Sequence, residues 1–379
     1  MSGKSSIWLI DSTLRDGEQA PGVAFFPDEK IRLARMLDAI GIDEIEAGTP
    51  AMGVEECETI RRIVHLGLHA RISVWCRALK QDIAAAAQTG ATGIHIAFPV
   101  SDIQLAAIRK DWEWVNDTLP QMTDYARRLF PYISVGAQDA GRCHPERLFH
   151  FIALAEKQGV CRVRIADTVG VLTPLNTVNL IGSIKNKFPI IDLDFHGHND
   201  LGMATANAIT AWQSGASSLS VTVNGLGERA GNAALEEILM ILSQTGVNVK
   251  NKYAIASLYA LCRYVSTISG RPIPDGKPVC GALVFSHESG IHTHGTLSNT
   301  TAFQPFDGKI VGRESSRNLF GKHSGKKAVI DFLQKQDIVV KEEQIPFLMK
   351  KIKDTALKHK KNVSESKIIA LCCKIIKNN

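Results

Sequence analysis

The chain has 379 residues, 45% of them hydrophobic and 22% charged, with a net charge of +6. That length holds one large domain with an appendage, or two domains, and the balance excludes a disordered chain, a collagen and a coiled-coil rod. No apolar run approaches the ~20 residues of a membrane-spanning helix, and the 8 scattered cysteines, with no C-x-x-C pair, suit reduced thiols rather than a disulfide framework or a thiolate zinc site.

The chain opens MSGKSSIWLID, too little apolar sequence for a secretory signal, so a cytoplasmic protein is expected. From residue 7 to about 226 one pattern recurs: a short β-branched run ends in polar residues, and a helical stretch follows. The predicted strands are IWLID (7–11), DEIEAG (43–48), ISVWCR (72–77), GIHIAF (93–98), ISVGAQ (133–138), RVRIAD (162–167), DLDFHGH (192–198) and SLSVTVNG (218–225). Between them lie amphipathic segments such as 27–41 and 145–159, each ending in a glycine that suits a helix C-cap.

Eight such units predict a TIM (β/α)8 barrel of the α/β class. A doubly wound sheet is the rival, but no G-x-G-x-x-G follows the first strand. Reactive side chains gather at the strand C-termini: Arg15 and Asp16, Glu46, Arg77, Ser101 and Asp102, Gln138 and Asp139, Asp167 and Thr168, His196 and His198, and Asn224. In a barrel these ends share one face, where such enzymes place their active sites.

After about residue 245 the repeat stops. The expected division is a catalytic barrel over 1–245, a barrel-terminal helical region over 246–270, and a linker, lid and C-terminal helical subdomain over 271–379. Helices are predicted over 323–335 and 341–361, with a short segment after Ser364. Nine lysines against two acids make residues 350–379 basic. A solvated helical face is the expected reading, with neither nucleic-acid nor membrane binding.

HGHND (196–200) ends the seventh predicted strand. Side chains at i and i+2 on a strand share a face, so His196 and His198 can hold one cation together. Asp16 ends the first unit, near the seventh strand in a closed barrel. Two imidazoles and a carboxylate with open positions make a catalytic divalent site, accepting Zn, Mn, Co or Mg. Two histidines bonded to a loop backbone are the plain alternative. Arg15 can polarise a carbonyl and neutralise an alkoxide. Asn232, in the glycine-rich loop after the eighth strand, offers a further oxygen. HESGIHTHG (287–295) adds His287, Glu288, His292 and His294 as proton carriers or as surface histidines.

Taken together, DSTLRDGEQAPG, ADTVG, HGHNDLGMATANA, NGLGERAGNA, FSHESGIHTHG and FGKHSG resemble the alkylmalate synthase family, which includes homocitrate, 2-isopropylmalate and citramalate synthases. EAGTPAMG and PVSDIQ most resemble the homocitrate synthases associated with nitrogen fixation. The resemblance implies acetyl-CoA as co-substrate and a metal-dependent Claisen condensation onto a 2-oxo acid, with 2-oxoglutarate and the product homocitrate foremost. Another acceptor, such as 2-oxoisovalerate or pyruvate, is the alternative, and a non-catalytic metabolite-binding barrel is the reading from another class. It implies a homodimer with exchanged lids, and a metal on Asp16, His196 and His198 with Asn232 alongside. Arg15, Glu46 and His292 would be catalytic, with His292 as base. Gln19, Arg77, Ser101, Gln138, Thr168 and Asn224 would bind substrate. Two positions depart from the family: Gln138 where relatives carry Glu, and Phe303 where they carry Tyr. Neither can shuttle a proton, and Glu46, Glu228 or His294 would have to substitute.

Overall fold

The computed structural model describes residues 7–245, 249, 251–289, 300–313 and 317–377, and the chain divides into two compact units, Met1–Ile273 and Pro274–Asn379. In the first unit eight parallel strands close into a barrel in chain order: β1 (Trp8–Asp11), β2 (Glu44–Glu46), β3 (Arg71–Arg77), β4 (Gly93–Pro99), β5 (Tyr132–Gln138), β6 (Arg162–Asp167), β7 (Leu193–Gly197) and β8 (Ser218–Val221). β1 pairs with both β2 and β8, which closes the ring. This is the expected (β/α)8 architecture. The largest difference in boundary is at β8, predicted to run to 225. It stops at Val221 because Asn224 takes a left-handed backbone (φ 61°), which a strand cannot contain.

The helices of this unit are α1 (Pro27–Ile40), α2 (Val54–Val64), α3 (Lys80–Ala87), α4 (Asp102–Ala107), α5 (Trp112–Arg127), α6 (Pro145–Lys157), α7 (Pro174–Lys187), α8 (Ala204–Ser214), α9 (Leu235–Gln244) and α10 (Leu258–Ser269). α1 shows the local logic. Pro27 sits in its first turn, and Glu29 Oε2 accepts from the Phe26 amide at 2.8 Å. Ile31, Ala34, Leu37 and Ile40 bury one face, and Gly41 (φ 96°) turns the chain out. Among the described residues no helix is long and apolar enough to cross a membrane.

The strands alternate sharply. Ile45, Val74, Ile94, Val135, Val163, Leu193 and Leu219 are fully buried on the face toward the helices. The opposite face carries Glu44, Glu46, Ser73, His95, Ser134, Arg162, Arg164, Asp194 and Ser220, also buried. Two ion pairs prove that this second face is the barrel interior. Arg162 Nη1 lies 2.9 Å from Glu44 Oε2, and Arg164 Nη1 lies 2.9 Å from Glu46 Oε1, although β2 and β6 stand on opposite sides of the ring. Barrels usually fill their interiors with branched aliphatic layers; this one uses charge pairs. At the lower level Glu44 Oε2 accepts from Trp8 Nε1 (3.2 Å), Arg71 Nη1 (3.3 Å) and Arg162 Nη1 (2.9 Å). Arg71 also stacks 3.8 Å from the Tyr132 ring centroid.

The second unit holds β9 (Ser286–His287) paired with β10 (Arg317–Asn318), and the helices α11 (Lys326–Lys335), α12 (Ile345–His359) and α13 (Glu365–Lys377). α11 to α13 pack around Val329, Phe332, Leu348, Ile352 and Ile368. The lysines at 350, 351, 353, 358, 360, 361, 367 and 374 are all exposed, a solvated face. His292 and His294 lie outside the described residues.

Candidate active site and metal centre

Asp16 follows β1 in a tight turn whose Gly17 amide bonds the Ser12 carbonyl at 3.0 Å. Its carboxylate meets the end of β7. Asp16 Oδ2 is 3.2 Å from His196 Nε2 and 3.2 Å from His198 Nε2, and the two Nε2 atoms are 3.3 Å apart. All three residues are buried. Three donor atoms bound about 2.0–2.2 Å from one divalent ion would stand about 3.0–3.4 Å apart, so the triangle already has the size of a metal site. The His198 Nδ1–H donates to the Thr168 carbonyl at 2.5 Å, which turns Nε2 toward Asp16, where it donates to the carboxylate when protonated and can ligate a cation when it is not. Arg229 Nη2 donates to the same carbonyl at 2.7 Å, and its guanidinium pairs with Asp200.

Two buried polar atoms, His196 Nδ1 and Asn232 Oδ1, have no partner among the described residues. Asn232 bridges His198 through the backbone, and its Nδ2 is spent on the Leu226 carbonyl at 3.1 Å. Buried acceptors are normally satisfied. Asn232, joined to His198 through the backbone, keeps an oxygen with no hydrogen-bond partner among the described residues. The donor set therefore fits a divalent cation.

The electrostatics agree. Burial opposes ionisation of Asp16, but Arg15 and hydrogen bonds from both histidines outweigh it and hold the carboxyl well below its usual range. Burial pushes His196 down and keeps it neutral. Burial also acts against charge on His198, yet the Asp16 hydrogen bond and charge prevail and raise it.

Beneath the strand ends lies a cavity of about 210 Å³. Its size is below the ~300–1,000 Å³ of sites for drug-sized ligands and suits a metabolite of a few carbons. Eight of the expected residues line it: Arg15, Asp16, Gln19, Gln138, Thr168, His196, His198 and Glu228. Four others stand elsewhere. Arg77, expected to bind substrate, sends its half-exposed guanidinium to Asp82 through Nε (2.8 Å) and Nη2 (3.0 Å). Ser101 caps α4 and donates to Asp139 Oδ2 at 2.5 Å. Asn224 Nδ2 donates to the Cys262 carbonyl at 2.9 Å, drawn there by its left-handed backbone. Glu46, expected to be catalytic, lies fully buried under Arg15, with Oε2 2.5 Å from Arg15 Nε and Oε1 2.9 Å from Arg164 Nη1. Burial alone would raise its pKa, but the two guanidiniums hold it far below the usual carboxylate range. A carboxylate held ionised in this way fixes the Arg15 guanidinium through its hydrogen bond.

Reading strand ends alone misses Trp75, His95, Ala97, Gly136, Arg164 and Ala166, which also line the cavity. They lie two or four positions before Arg77, Pro99, Gln138 and Thr168, so extending the period-two alternation inward finds them. His95 Nδ1 contacts Ser134 Oγ at 2.8 Å, and burial and then Arg164 hold the ring neutral. A Cβ at Gly136 would fall 2.5 Å from His95 Nε2, so only glycine fits against that ring.

Residues 6–265 match the HMGL-like family model, and residues 279–360 match the homocitrate synthase post-HMGL domain-like model. The chain is 40% identical to 2-isopropylmalate synthase 2 of Caldanaerobacter subterraneus subsp. tengcongensis over 96% of this chain and 94% of that one. It is 43% identical to the homocitrate synthase of Frankia alni over 86% of this chain and 92% of that one. Similarity to (R)-citramalate synthase CimA of Methanocaldococcus jannaschii is 38% over 91% of this chain and 70% of that one. In fold, the hydroxymethylglutaryl-CoA lyase of Pseudomonas aeruginosa superposes with a TM-score of 0.64 over 72% of this chain and 96% of that one, at 20% identity.

Proposed function

The chain belongs to the HMGL-like family, and from that membership we propose that it condenses acetyl-CoA with 2-oxoglutarate, giving homocitrate and CoA. Its relatives are acyltransferases, and condensation of acetyl-CoA with a 2-oxo acid is common to the synthases it resembles. The observation that carries the reading is the convergence of Asp16, His196 and His198 on one point.

Asp16, His196 and His198 would hold the cation, with Asn232 as further donor. When bound, a divalent ion supplies Lewis-acid polarisation of a 2-oxo carbonyl and a fixed template for its carboxylate. The protein does the rest. Arg15, fixed by Glu46 at 2.5 Å and Asp16 at 3.3 Å, presents a permanent positive charge for the alkoxide oxygen that develops at C2. The guanidinium is preorganised, so little reorganisation is needed as charge moves. Thr168 and Gln138 line the mouth and offer hydrogen bonds to the acceptor. The acetyl methyl must lose a proton to a base, the role proposed for His292, which lies outside the described residues. The new bond joins the acetyl methyl carbon to C2, the alkoxide gains a proton, and water cleaves the thioester to release CoA as thiol. A homodimer with exchanged lids is part of the same reading.

A thiol-release assay with acetyl-CoA and a panel of 2-oxo acids tests it. CoA release fastest with 2-oxoglutarate is the expected result. Faster release with 2-oxoisovalerate or pyruvate would move the protein to a related synthase, a second reading favoured by its 40% identity to a 2-isopropylmalate synthase. Tight binding of oxo acids with no CoA release from any of them would make it a binding protein.

A further inference from the structure

We propose that Asp139 is a positioning residue, whose clamped turn makes the Thr168 hydroxyl a dedicated hydrogen-bond donor to the acceptor; this rests on Thr168 being an acceptor contact in the condensation proposed above. A threonine hydroxyl has one proton to give and two lone pairs to offer. Left to rotate, it can face a ligand either way. Here the Asp139 amide donates to Thr168 Oγ1 at 2.8 Å and occupies its accepting side. Thr168 Oγ1 makes no other hydrogen bond among the described residues, and Thr168 lines the cavity. Its proton is therefore left for what the cavity holds. The carbonyl of the same residue accepts from His198 Nδ1 at 2.5 Å. One threonine thus aligns an imidazole of the metal centre with its backbone and an oxygen of the acceptor with its side chain.

What holds the amide in that direction is a strained turn. Asp139 follows β5 in the left-handed region, with φ 60° and ψ 37°, which few residues other than glycine enter. Its side chain is completely buried and is gripped from two elements. Oδ2 accepts from Ser101 Oγ at 2.5 Å, two residues past the end of β4. Arg142, in the turn after β5, takes both oxygens: Nε lies 2.8 Å from Oδ1 and 2.9 Å from Oδ2, and Nη2 lies 2.7 Å from Oδ2. The Arg142 amide also donates to the Asp139 carbonyl at 3.1 Å. The ends of β4 and β5 are thereby tied to Thr168, just past β6, through one amide. Asp139 itself does not line the cavity, so its influence on a ligand passes through Thr168.

The test is a double-mutant cycle on 2-oxoglutarate affinity, by calorimetric titration with Mn²⁺ present and acetyl-CoA absent. Thr168→Val keeps the shape and removes the hydroxyl. It should weaken 2-oxoglutarate roughly 10- to 100-fold, the range for a hydrogen bond to a charged group. Asp139→Ala releases the turn, and Arg142 is free to turn to solvent; affinity should fall about 3- to 10-fold, with Mn²⁺ affinity unchanged. Asp139→Asn tolerates the left-handed backbone and still accepts from Ser101, so it should recover most of that loss. In the Thr168→Val background Asp139→Ala should cost nothing further, because the hydroxyl it aligns is gone; a merely structural role would give additive losses. Additive losses, or an Asn variant as weak as the Ala variant, overturn the proposal. So does a Thr168→Val variant that binds 2-oxoglutarate like wild type, and this decides the matter should Asp139→Ala not fold. A wild type with no affinity for any 2-oxo acid overturns both readings. Binding without CoA release in a thiol-release assay overturns the condensation reading alone, because the cycle is read from dissociation constants.

Discussion

The lower barrel interior and its mouth are made of the same kinds of residue, buried to the same degree, and differ in how their charged groups are paired. Below, Glu44 accepts three donors, and Glu46 and Asp194 grip Arg164 from two sides. Above, the Asp16 carboxylate meets two imidazoles whose nitrogens crowd each other, and Asn232 Oδ1 has nothing. Burial of charge is costly in both places. Below, guanidinium–carboxylate pairs across the ring offset the cost. Above, Arg15 and the two imidazoles offset it for Asp16 in a cluster that can also take a cation. The kind of charge partner, and not residue type, separates the two levels.

Breaking a pair below should give the largest effect. Glu44→Ala leaves Arg162 buried without its carboxylate, and urea unfolding should show a loss of about 3–5 kcal/mol. Metal affinity of the folded fraction should stay unchanged; a parallel fall in both would erase the distinction between the layers.

Next, Asp16→Asn removes a ligand from the mouth. Calorimetry with Mn²⁺ should report more than about 100-fold weaker binding, beyond what loss of a merely supporting hydrogen bond costs. Asn232→Ala should cost less, about 10- to 100-fold, and metal-free stability should fall by about 1 kcal/mol, the worth of the lost Nδ2 bond to the Leu226 carbonyl. A variant destabilised without any change in metal affinity would mark Asn232 as scaffold.

The smallest effect is a slope. The folded pKa of His198 is raised, so its ion pair with Asp16 stabilises the metal-free protein fully below the unfolded imidazole value of ~6.5, and that contribution fades as pH rises through the folded value. A cation needs the neutral ring. Its affinity should therefore rise with pH across that window, by up to about tenfold per unit for one displaced proton. Affinity independent of pH from 5 to 8 would mean that His198 is not a ligand.

Much of this was legible in the sequence, for definite reasons. Alternation with period two exposed eight strands, and the H-x-H spacing at the end of β7 placed two imidazoles on one face. The Arg15–Asp16 pair after β1 then fell into reach because the ring closes. What escaped depends on partners that no local pattern reveals. Arg77 follows the strand rule, but the first turn of α3 delivers Asp82 to its guanidinium. Ser101 is claimed by a helix cap and by Asp139. Asn224 leaves because its backbone turns left-handed. Glu46 reads as an acid at a strand end, and only the opposite wall, 118 residues further on, supplies the arginine that locks it.

The central claim is that one divalent ion sits among Asp16, His196 and His198. Crystals grown with Mn²⁺ and measured for anomalous scattering at its absorption edge test it directly. The account predicts one peak per chain, about 2.0–2.2 Å from the Asp16 carboxylate and both Nε2 atoms. A peak elsewhere in the barrel, or none at that point with the ion bound in solution, would contradict it.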